Sequence, residues 1–306
     1  MIRVGVIRGG ISPEYEVSLD TGSTVLSHLR SDKLNNKYKP IDILIDTTGL
    51  WHINGLPVTW DQIAQSVDVV WNALHGFYGE DGKVSQQLAQ WKIPHTGSDA
   101  FASSRAYNKA MAKEQFSKLG INTPKHILYP AYLEDLDGPR DEYALAKAHE
   151  VLKKLPPPWI VKPLSGGSSM GIHVCKTFED LVRAFREGVG SHVSILVEEL
   201  ISGREASVGV ISGFRGASTY TLPVSSFHPD TNRELELHAK RIHEGLNLGH
   251  YSKINFIVHP KKGIYAIEVN NLPEMKHDSF IPGALSSVGS NMSEFIDHVL
   301  TQALKK

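Results

Sequence analysis

A lysine at the end of a short apolar run, followed by glycines and serines, constrains this chain more than any other feature. Lys162 follows Trp159-Ile160-Val161, which we predict to be a strand, and residues 163–171 read Pro-Leu-Ser-Gly-Gly-Ser-Ser-Met-Gly. Glycines let a backbone approach an anion closely, and serine hydroxyls add donors beside the lysine charge. The pattern predicts a loop that binds a triphosphate. Taken alone, a serine/glycine hairpin loop explains it about equally well.

Composition bounds the class of protein. At 306 residues the chain is long for one hydrophobic core, so we expect two or three domains. It is 41% apolar and 21% charged, as globular proteins are, and its net charge of −1 gives no reason to expect nucleic acid as a partner. The single cysteine, Cys175, fits a reducing compartment. No signal peptide and no apolar run of about 20 residues is present, so we expect a cytoplasmic protein without a membrane span.

Strands alternate with helical patterns over the first hundred residues. This alternation predicts a doubly wound α/β unit, whose ligands gather at the carboxyl ends of its strands. Glu14 and His75 lie just beyond two such ends. The predicted elements are a strand at residues 2–7, a helix at 16–30 capped by Ser12 and Pro13, and strands at 41–45 and 67–74.

The remaining chain predicts two further units, one opening near Gly97 and one near Ser194. The segment 129–143 is polar and carries proline and glycine, so we expect a surface insertion there. Helices are predicted at 102–119, 178–187, 234–246 and at the C-terminus, and strands at 172–175, 194–200, 206–211, 218–223, 254–258 and 264–269.

Two polar residues end the last predicted strand. Glu268 and Asn270 are two positions apart, so on a strand their side chains share a face. A carboxylate and an amide oxygen suit magnesium, which also bridges to nucleotide phosphates. An edge-strand pair facing solvent is the alternative, but the loop-like sequence 271–275 that follows favours a site.

Several segments, in order and spacing, resemble the D-alanine–D-alanine ligase family of the ATP-grasp superfamily over nearly the whole chain. The resemblance implies an α/β fold, with a Rossmann-like N-terminal domain (1–97), a central α+β ATP-grasp lobe with the phosphate loop (98–193) and a C-terminal α+β lobe with the metal site (194–306). The nucleotide is expected between the two lobes. The matching segments are 9–10, 12–18, 73–76, 79–82, 108–109, 161–163, 167–171, 197–198, 202–205 and 267–270.

The resemblance also implies roles for residues that match the family. ATP and Mg²⁺ (or Mn²⁺) would be the cofactors, amino acids the substrates, and a homodimer the assembly. For the nucleotide, Lys109 and Lys162 would hold the phosphates under the loop that includes Ser169, Glu198 and the backbone near Leu200 would meet the adenine, Glu205 the ribose, and Glu268 with Asn270 the metal. For the amino acids, Glu14 would receive the first ammonium with help from Ser168, His75 would line the same pocket, and Ser279 would contact the second carboxylate.

The implied reaction activates a carboxylate. One substrate's carboxylate attacks the terminal phosphate of ATP, and an amine then displaces phosphate from the acyl phosphate. The leading product is D-alanyl-D-alanine, a cell-wall precursor. Cations and aimed donors do most of the work in such chemistry.

The chain departs from the family at three places. Lys253 and Asn255 stand where the family has arginine and an aspartate metal ligand, so Lys253 would keep the oxyanion charge and Asn255 would bind metal less well. Glu274 replaces a glycine, and residues 222–234 replace a long loop that covers the active site. Three interpretations stay open: a D-alanine ligase, weak or completed by a partner; a ligase for a different, larger amine; and a nucleotide-binding pseudoenzyme.

Overall fold

The computed structural model describes residues 1–166, 171–189 and 193–305. The predicted site residues Ser168 and Ser169 lie outside these ranges. The strands are β1 (Ile2–Gly9), β2 (Tyr38–Ile45), β3 (Trp51–Ile53), β4 (Leu56–Pro57), β5 (Val69–Asn72), β6 (His126–Tyr129), β7 (Trp159–Pro163), β8 (His173–Cys175), β9 (Ile195–Glu199), β10 (Arg204–Ser212), β11 (Thr219–Thr221), β12 (Tyr251–His259) and β13 (Gly263–Asn270).

The helices complete the mixed α/β fold that we predicted. A short 3₁₀ turn also lies at Phe214–Gly216. The helices are α1 (Tyr15–Arg30), α2 (Trp60–Ser66), α3 (Lys83–Gln90), α4 (Ala100–Tyr107), α5 (Lys109–Lys118), α6 (Glu134–Asp137), α7 (Arg140–Lys154), α8 (Phe178–Val189), α9 (Pro229–Gly245), α10 (Phe280–Ser287) and α11 (Met292–Ala303).

The chain divides into two compact units. Unit 1 comprises Met1–Tyr107, Ser207–Asn255 and Val269–Lys306, and unit 2 comprises Asn108–Ala206 and Phe256–Glu268. The chain passes from one unit to the other within β10, β12 and β13, which belong to a sheet of order β11-β10-β12-β13. The division into three domains that the resemblance implied stays a prediction.

Unit 1 contains a doubly wound sheet of order β4-β3-β2-β1-β5, in which β1 pairs in parallel with β2 and β5. Val4 and Val6 point to one face of β1, and Ile7 points to the other. Residues of α1 and α11 pack on the first face and residues of α2 and α3 on the second, so helices cover both sides. Because β1 and β5 are parallel, the segments that follow them emerge at one edge of the sheet.

Unit 2 contains an antiparallel sheet of order β6-β9-β7-β8. Its buried face carries Trp159, Val161 and Val197, which pack with residues of α7 and α8. Cys175 belongs to the same core, and burial raises the pKa of its thiol to about 11, as expected for a packing residue. Alternation along the strands therefore turns Lys162 of β7 and Glu198 of β9 to the opposite face.

Two predicted elements are wrong at their boundaries. The helix predicted at 102–119 is interrupted at Asn108, whose backbone is extended and whose Oδ1 accepts hydrogen bonds from the N–H groups of Ala110 and Met111. Asn108 therefore ends one helix and caps the next. Ser12 does not cap α1, because Glu14 is the N-cap residue and Ser12 Oγ instead accepts from the Glu14 N–H.

The other differences lie in loops and at the C-terminus. The predicted surface insertion contains α6 and the start of α7, and its Tyr132 and Tyr143 are buried with ring centroids 5.0 Å apart. The C-terminal helix is two helices, α10 and α11. Among the described residues, no helix is both long and apolar enough to cross a bilayer.

Candidate active site

Ser18 joins the two strand ends that carry the site of unit 1. Its buried Oγ accepts a hydrogen bond from the Gly9 N–H (2.8 Å) and donates one to the Ala73 carbonyl (2.8 Å). Gly9 is the last residue of β1, and Ala73 directly follows β5. The buried Ser18 hydroxyl of α1 therefore holds together the two strand ends beyond which Glu14 and His75 lie.

A buried cluster of Glu14, His75 and Glu80 lies at this edge. One ligand atom from each of these side chains lies within 4.8 Å of the others, and His75 Nδ1 is 3.4 Å from Glu80 Oε1. Gly76 has φ +68°, and a Cβ there would lie 2.8 Å from Glu14 Oε1. Two carboxylates and an imidazole can receive an ammonium group or a metal cation.

Tyr107, at the end of α4, faces the same cluster. Burial raises the pKa of its phenol well above the usual range, and the charges of Glu80, Asp81 and Glu14 raise it further. The hydroxyl therefore stays protonated at neutral pH and can donate to a carboxylate. Sequence reasoning assigned no role to Tyr107, and it assigned none to Glu80 although Glu80 lies in a matching segment.

The turn after β13 is held by side-chain amides. Asn270 Oδ1 accepts from the Leu272 N–H (2.9 Å), and Asn271 Nδ2 donates to the Glu80 carbonyl (3.2 Å). Ser279 Oγ lies 2.9 Å from the Glu274 carbonyl and 2.7 Å from the Lys276 carbonyl. Its single proton can be donated to one or shared between these two carbonyls, and its side chain does not cap α10.

The two residues that depart from the family lie on β12. Asn255 Oδ1 accepts a hydrogen bond from Ser207 Oγ (2.8 Å). Lys253 Nζ lies 5.7 Å from the centroid of the Phe280 ring. Where the family has a covering loop, residues 222–228 lead directly from β11 to α9, and Glu236 Oε1 accepts from the Val224 N–H (3.0 Å).

Two buried lysines share one carboxylate in unit 2. Lys113 Nζ and Lys162 Nζ each lie 3.0 Å from an oxygen of Glu198, and all three side chains are at most 5% exposed. Burial alone would raise the pKa of Glu198, but the charges of the two lysines outweigh it and lower that pKa. The ammonium groups of Lys113 and Lys162 outnumber the single Glu198 carboxylate, so these three buried side chains carry a net positive charge that suits phosphate binding.

Lys113 is a residue that sequence reasoning missed. Burial lowers its pKa to about 8 against the attraction of Glu198, and its Nζ also donates to Thr123 Oγ1 (2.9 Å). The signal was available, because Lys113 stands four residues after Lys109 and so lies on the same face of one helix. Lys109 Nζ donates to the Gly166 carbonyl (2.6 Å), which ties α5 to the start of the predicted phosphate loop.

The other predicted nucleotide residues lie on or beside the same sheet. The carboxylate of Glu198 is held by Lys113 and Lys162, and its contact with adenine stays a prediction. The Leu200 N–H donates to the Pro158 carbonyl (3.0 Å), which leaves the Leu200 carbonyl for a base, and Glu205 is exposed on β10. Ile160 lies beside Glu198 in register and Val174 beside Ile160, which gives an apolar neighbourhood for a flat ring.

Glu268 is the only carboxylate among the three predicted metal ligands. It lies close enough to Lys113 for its charge to raise the pKa of that lysine. Asn270 Oδ1 keeps a lone pair beside its bond to Leu272. The donors are hard oxygens of the type that Mg²⁺ prefers, with less negative charge than two carboxylates would supply.

Known proteins share both the fold and the sequence pattern. The family described as D-ala D-ala ligase C-terminus matches residues 118–225. A D-alanine–D-alanine ligase of Anaeromyxobacter sp. (strain Fw109-5) is 30% identical over 328 residues, covering 99% of this chain and 97% of the relative. A D-alanine–D-alanine ligase of Geobacter sulfurreducens is 29% identical, covering 98% and 94%.

Solved structures agree with this match. The VanG D-Ala:D-Ser ligase of Enterococcus faecalis superposes with a TM-score of 0.85 over 99% of both chains at 23% identity, a likeness of fold. The D-alanine–D-alanine ligase of Bacillus anthracis complexed with ATP superposes with a TM-score of 0.80 at 26% identity, covering 100% of this chain and 98% of that one.

The match to the family model at residues 118–225 and the fold shared with a D-alanine–D-alanine ligase at 26% identity define an ATP-grasp protein. Within that class, the near-complete match at 30% identity shows that the chain belongs to the D-alanine–D-alanine ligase family. The resemblance found in the sequence is therefore confirmed.

Proposed function

We propose that this protein is an ATP-dependent ligase that joins two D-alanines into D-alanyl-D-alanine, a cell-wall precursor. One observation carries the proposal. The chain matches curated ligases over nearly their whole length. The burial of Glu14, His75 and Lys162 suits the roles proposed for them below. The same match favours ligation over the pseudoenzyme interpretation.

The reaction needs two displacements and no covalent bond to the protein. A carboxylate oxygen of the first substrate attacks the terminal phosphorus of ATP, and ADP leaves. The amine of the second substrate then attacks the carbonyl of the acyl phosphate, loses a proton and expels phosphate. Negative charge develops first on phosphoryl oxygens and then on a tetrahedral oxyanion, so the protein contributes fixed cations and donors.

Unit 1 would hold the amino acids. Glu14 would bind the first ammonium, with His75 and the Tyr107 hydroxyl fixing the orientation of the carboxylates around it. Lys253 would stabilise the oxyanion. Ser279 and the start of α10 would receive the second carboxylate, since a helix N-terminus favours an anion.

Unit 2 would hold the nucleotide. Lys162 and Lys113 would bind phosphate oxygens while Glu198 keeps both ammonium groups oriented, and Glu198 would also meet the adenine. Lys109 and the loop with Ser168 and Ser169 would complete the phosphate site. The Leu200 carbonyl would meet the adenine and Glu205 the ribose.

Mg²⁺ (or Mn²⁺) would be bound by Glu268, with Asn270 and Asn255 as neutral oxygen donors. When bound, the ion neutralises phosphate charge during transfer. The cytoplasmic location, the homodimer and the absence of a nucleic-acid partner stay predictions.

The test measures phosphate release from ATP and Mg²⁺ across a panel of D- and L-amino acids, with product masses read in parallel. We expect release that depends on D-alanine and a dipeptide mass. Release with another amino acid or amine would show that the protein uses a different substrate by the same mechanism. Bound ATP without release across the panel would contradict the proposal and favour the pseudoenzyme.

Two variants control this assay. Lys162→Ala removes one of the two buried cations, and we expect it to abolish ATP binding. Lys154→Ala removes an exposed lysine at the end of α7 and should change nothing. Equal ATP affinity in the two variants would show that Lys162 is not part of the phosphate site.

A further inference from the structure

Thr21 connects three segments of unit 1 through one buried hydroxyl. It lies on α1 and is 3% exposed. Its Oγ1 is 2.9 Å from His75 Nε2, in the loop after β5, and 3.4 Å from the backbone nitrogen of Met275, in the turn after β13. Neither the family resemblance nor the sequence pattern assigned a role to this residue.

The hydrogen-bonding capacities of these groups set the direction of the network. The Met275 N–H can only donate, so Thr21 Oγ1 accepts from it. The one proton of the threonine hydroxyl is then available to His75 Nε2. On the other side of the ring, Glu80 Oε1 lies 3.4 Å from Nδ1, and an ionised carboxylate only accepts. Of the two neutral tautomers of His75, these contacts favour the one that carries its proton on Nδ1.

The contacts close into a ring. Asn271, four residues before Met275, donates from Nδ2 to the Glu80 carbonyl at 3.2 Å. Helix α1, the loop that carries His75 and Glu80, and the turn 271–275 are therefore tied to one another pairwise. Every member of the ring is at most 7% exposed, so each broken contact would leave a buried polar group without its partner.

We propose that Thr21 is a positioning residue: its hydroxyl fixes the ring orientation and tautomer of His75 and holds the turn 271–275 in register with it. This inference rests on the proposed function, because His75 lines the pocket for the first amino acid there, and the Glu274 carbonyl of the turn accepts a hydrogen bond from Ser279, which would receive the second. A small displacement of either group would weaken amino-acid use and leave the nucleotide site of unit 2 unaffected.

Three variants separate the hydroxyl from the packing of the side chain. Thr21→Val keeps the shape and removes the hydroxyl, and Thr21→Ser keeps the hydroxyl. Thr24→Val is the matched control, because Thr24 lies on the same helix and its Oγ1 donates only to the Asp20 carbonyl within that helix.

The kinetic measurement is phosphate release with ATP and D-alanine varied separately. We expect Thr21→Val to lower kcat/KM for D-alanine about tenfold, the scale of one buried hydrogen bond, with the KM for ATP unchanged. Thr21→Ser and Thr24→Val should resemble the parent. A Thr21→Ser loss as large as that of Thr21→Val would overturn the proposal, because packing would then be the cause.

A second readout does not depend on activity. Ring ¹⁵N NMR reports which nitrogen of His75 carries the proton, and a His75→Gln sample assigns the signal. We expect the Nδ1–H tautomer in the parent and in Thr21→Ser, and its loss in Thr21→Val. An unchanged tautomer in Thr21→Val would refute the inference. A parent chain that is inactive on the whole panel but shows this pattern would refute only the proposed function.

Discussion

At the scale of single residues, the nucleotide site depends on an imbalance of buried charge. Lys113 and Lys162 face one carboxylate, Glu198, and burial disfavours the charged form of a lysine. The pKa of Lys113 is lowered from 10.5 to about 8, so this lysine titrates close to physiological pH. A bound phosphate would favour its charged form.

This imbalance predicts a pH dependence of ATP binding in the absence of amino acids. Lys113 is charged below its pKa of about 8 and loses its charge as the pH rises through that value. We therefore expect the Kd for ATP, measured by calorimetry, to rise about tenfold from pH 7 to pH 9.

Two lysines on the same helix provide the controls. Lys113→Met should bind ATP weakly at pH 7 and show little further change up to pH 9. Lys118→Met removes an exposed lysine and should keep the parent profile. The same profile in the parent and in Lys113→Met would contradict the assignment.

At the scale of elements, the break between α4 and α5 is a functional boundary. Asn108 ends one helix and caps the next, and the helix that it starts presents Lys109 and Lys113 on one face. Helical propensity predicted a continuous helix here, because Arg105, Ala106, Lys109, Ala110 and Met111 are good helix formers. Asn108 interrupts the helix instead, because its side chain accepts hydrogen bonds from two backbone N–H groups in the first turn of α5.

We expect Asn108→Ala to lower the free energy of unfolding by about 1 kcal/mol, the typical value of an N-cap. Urea unfolding at pH 7 measures this change. Asn108→Asp keeps a capping oxygen and should retain most of the stability. Equal losses in the two variants would show that the side-chain amide, not the cap, is what matters.

At the scale of the whole molecule, the acid stability of unit 1 depends on a buried histidine. His243 on α9 lies between Ser212 Oγ (2.9 Å from Nε2) and Ser252 Oγ (2.8 Å from Nδ1). Burial lowers its pKa from 6.5 to about 4. Between these pH values the unfolded chain binds a proton that the folded chain does not, so stability falls as the pH falls.

We expect the protonation of His243 to lower the free energy of unfolding by about 3 kcal/mol as the pH falls from 6.5 to 4. Urea unfolding over this range should show a shallower pH dependence in His243→Gln. His277→Gln, which changes an exposed histidine, should keep the slope of the parent. Parallel curves for the parent and His243→Gln would exclude His243 as the source.

The sequence by itself determined the fold class, the family and the order of the sites. Strand periodicity and local motifs carry this information. Lys162 and His75 each directly follow a short apolar run that predicts a strand, and Glu14 lies a few residues beyond another such run. The parallel sheet of unit 1 and the strand that ends in Lys162 were predicted for that reason.

Only the tertiary structure decided which of these residues meet. The sequence did not predict that the Glu198 carboxylate lies between Lys113 and Lys162. Antiparallel pairing of β7 and β9 turns the side chains of Lys162 and Glu198 to one face. Thr21, Glu80 and Met275 are distant in sequence and come together only where the first turns of α1 meet the segments that follow β5 and β13. Such contacts depend on packing between elements. The sequence pattern of one segment does not predict which distant segments will pack against it.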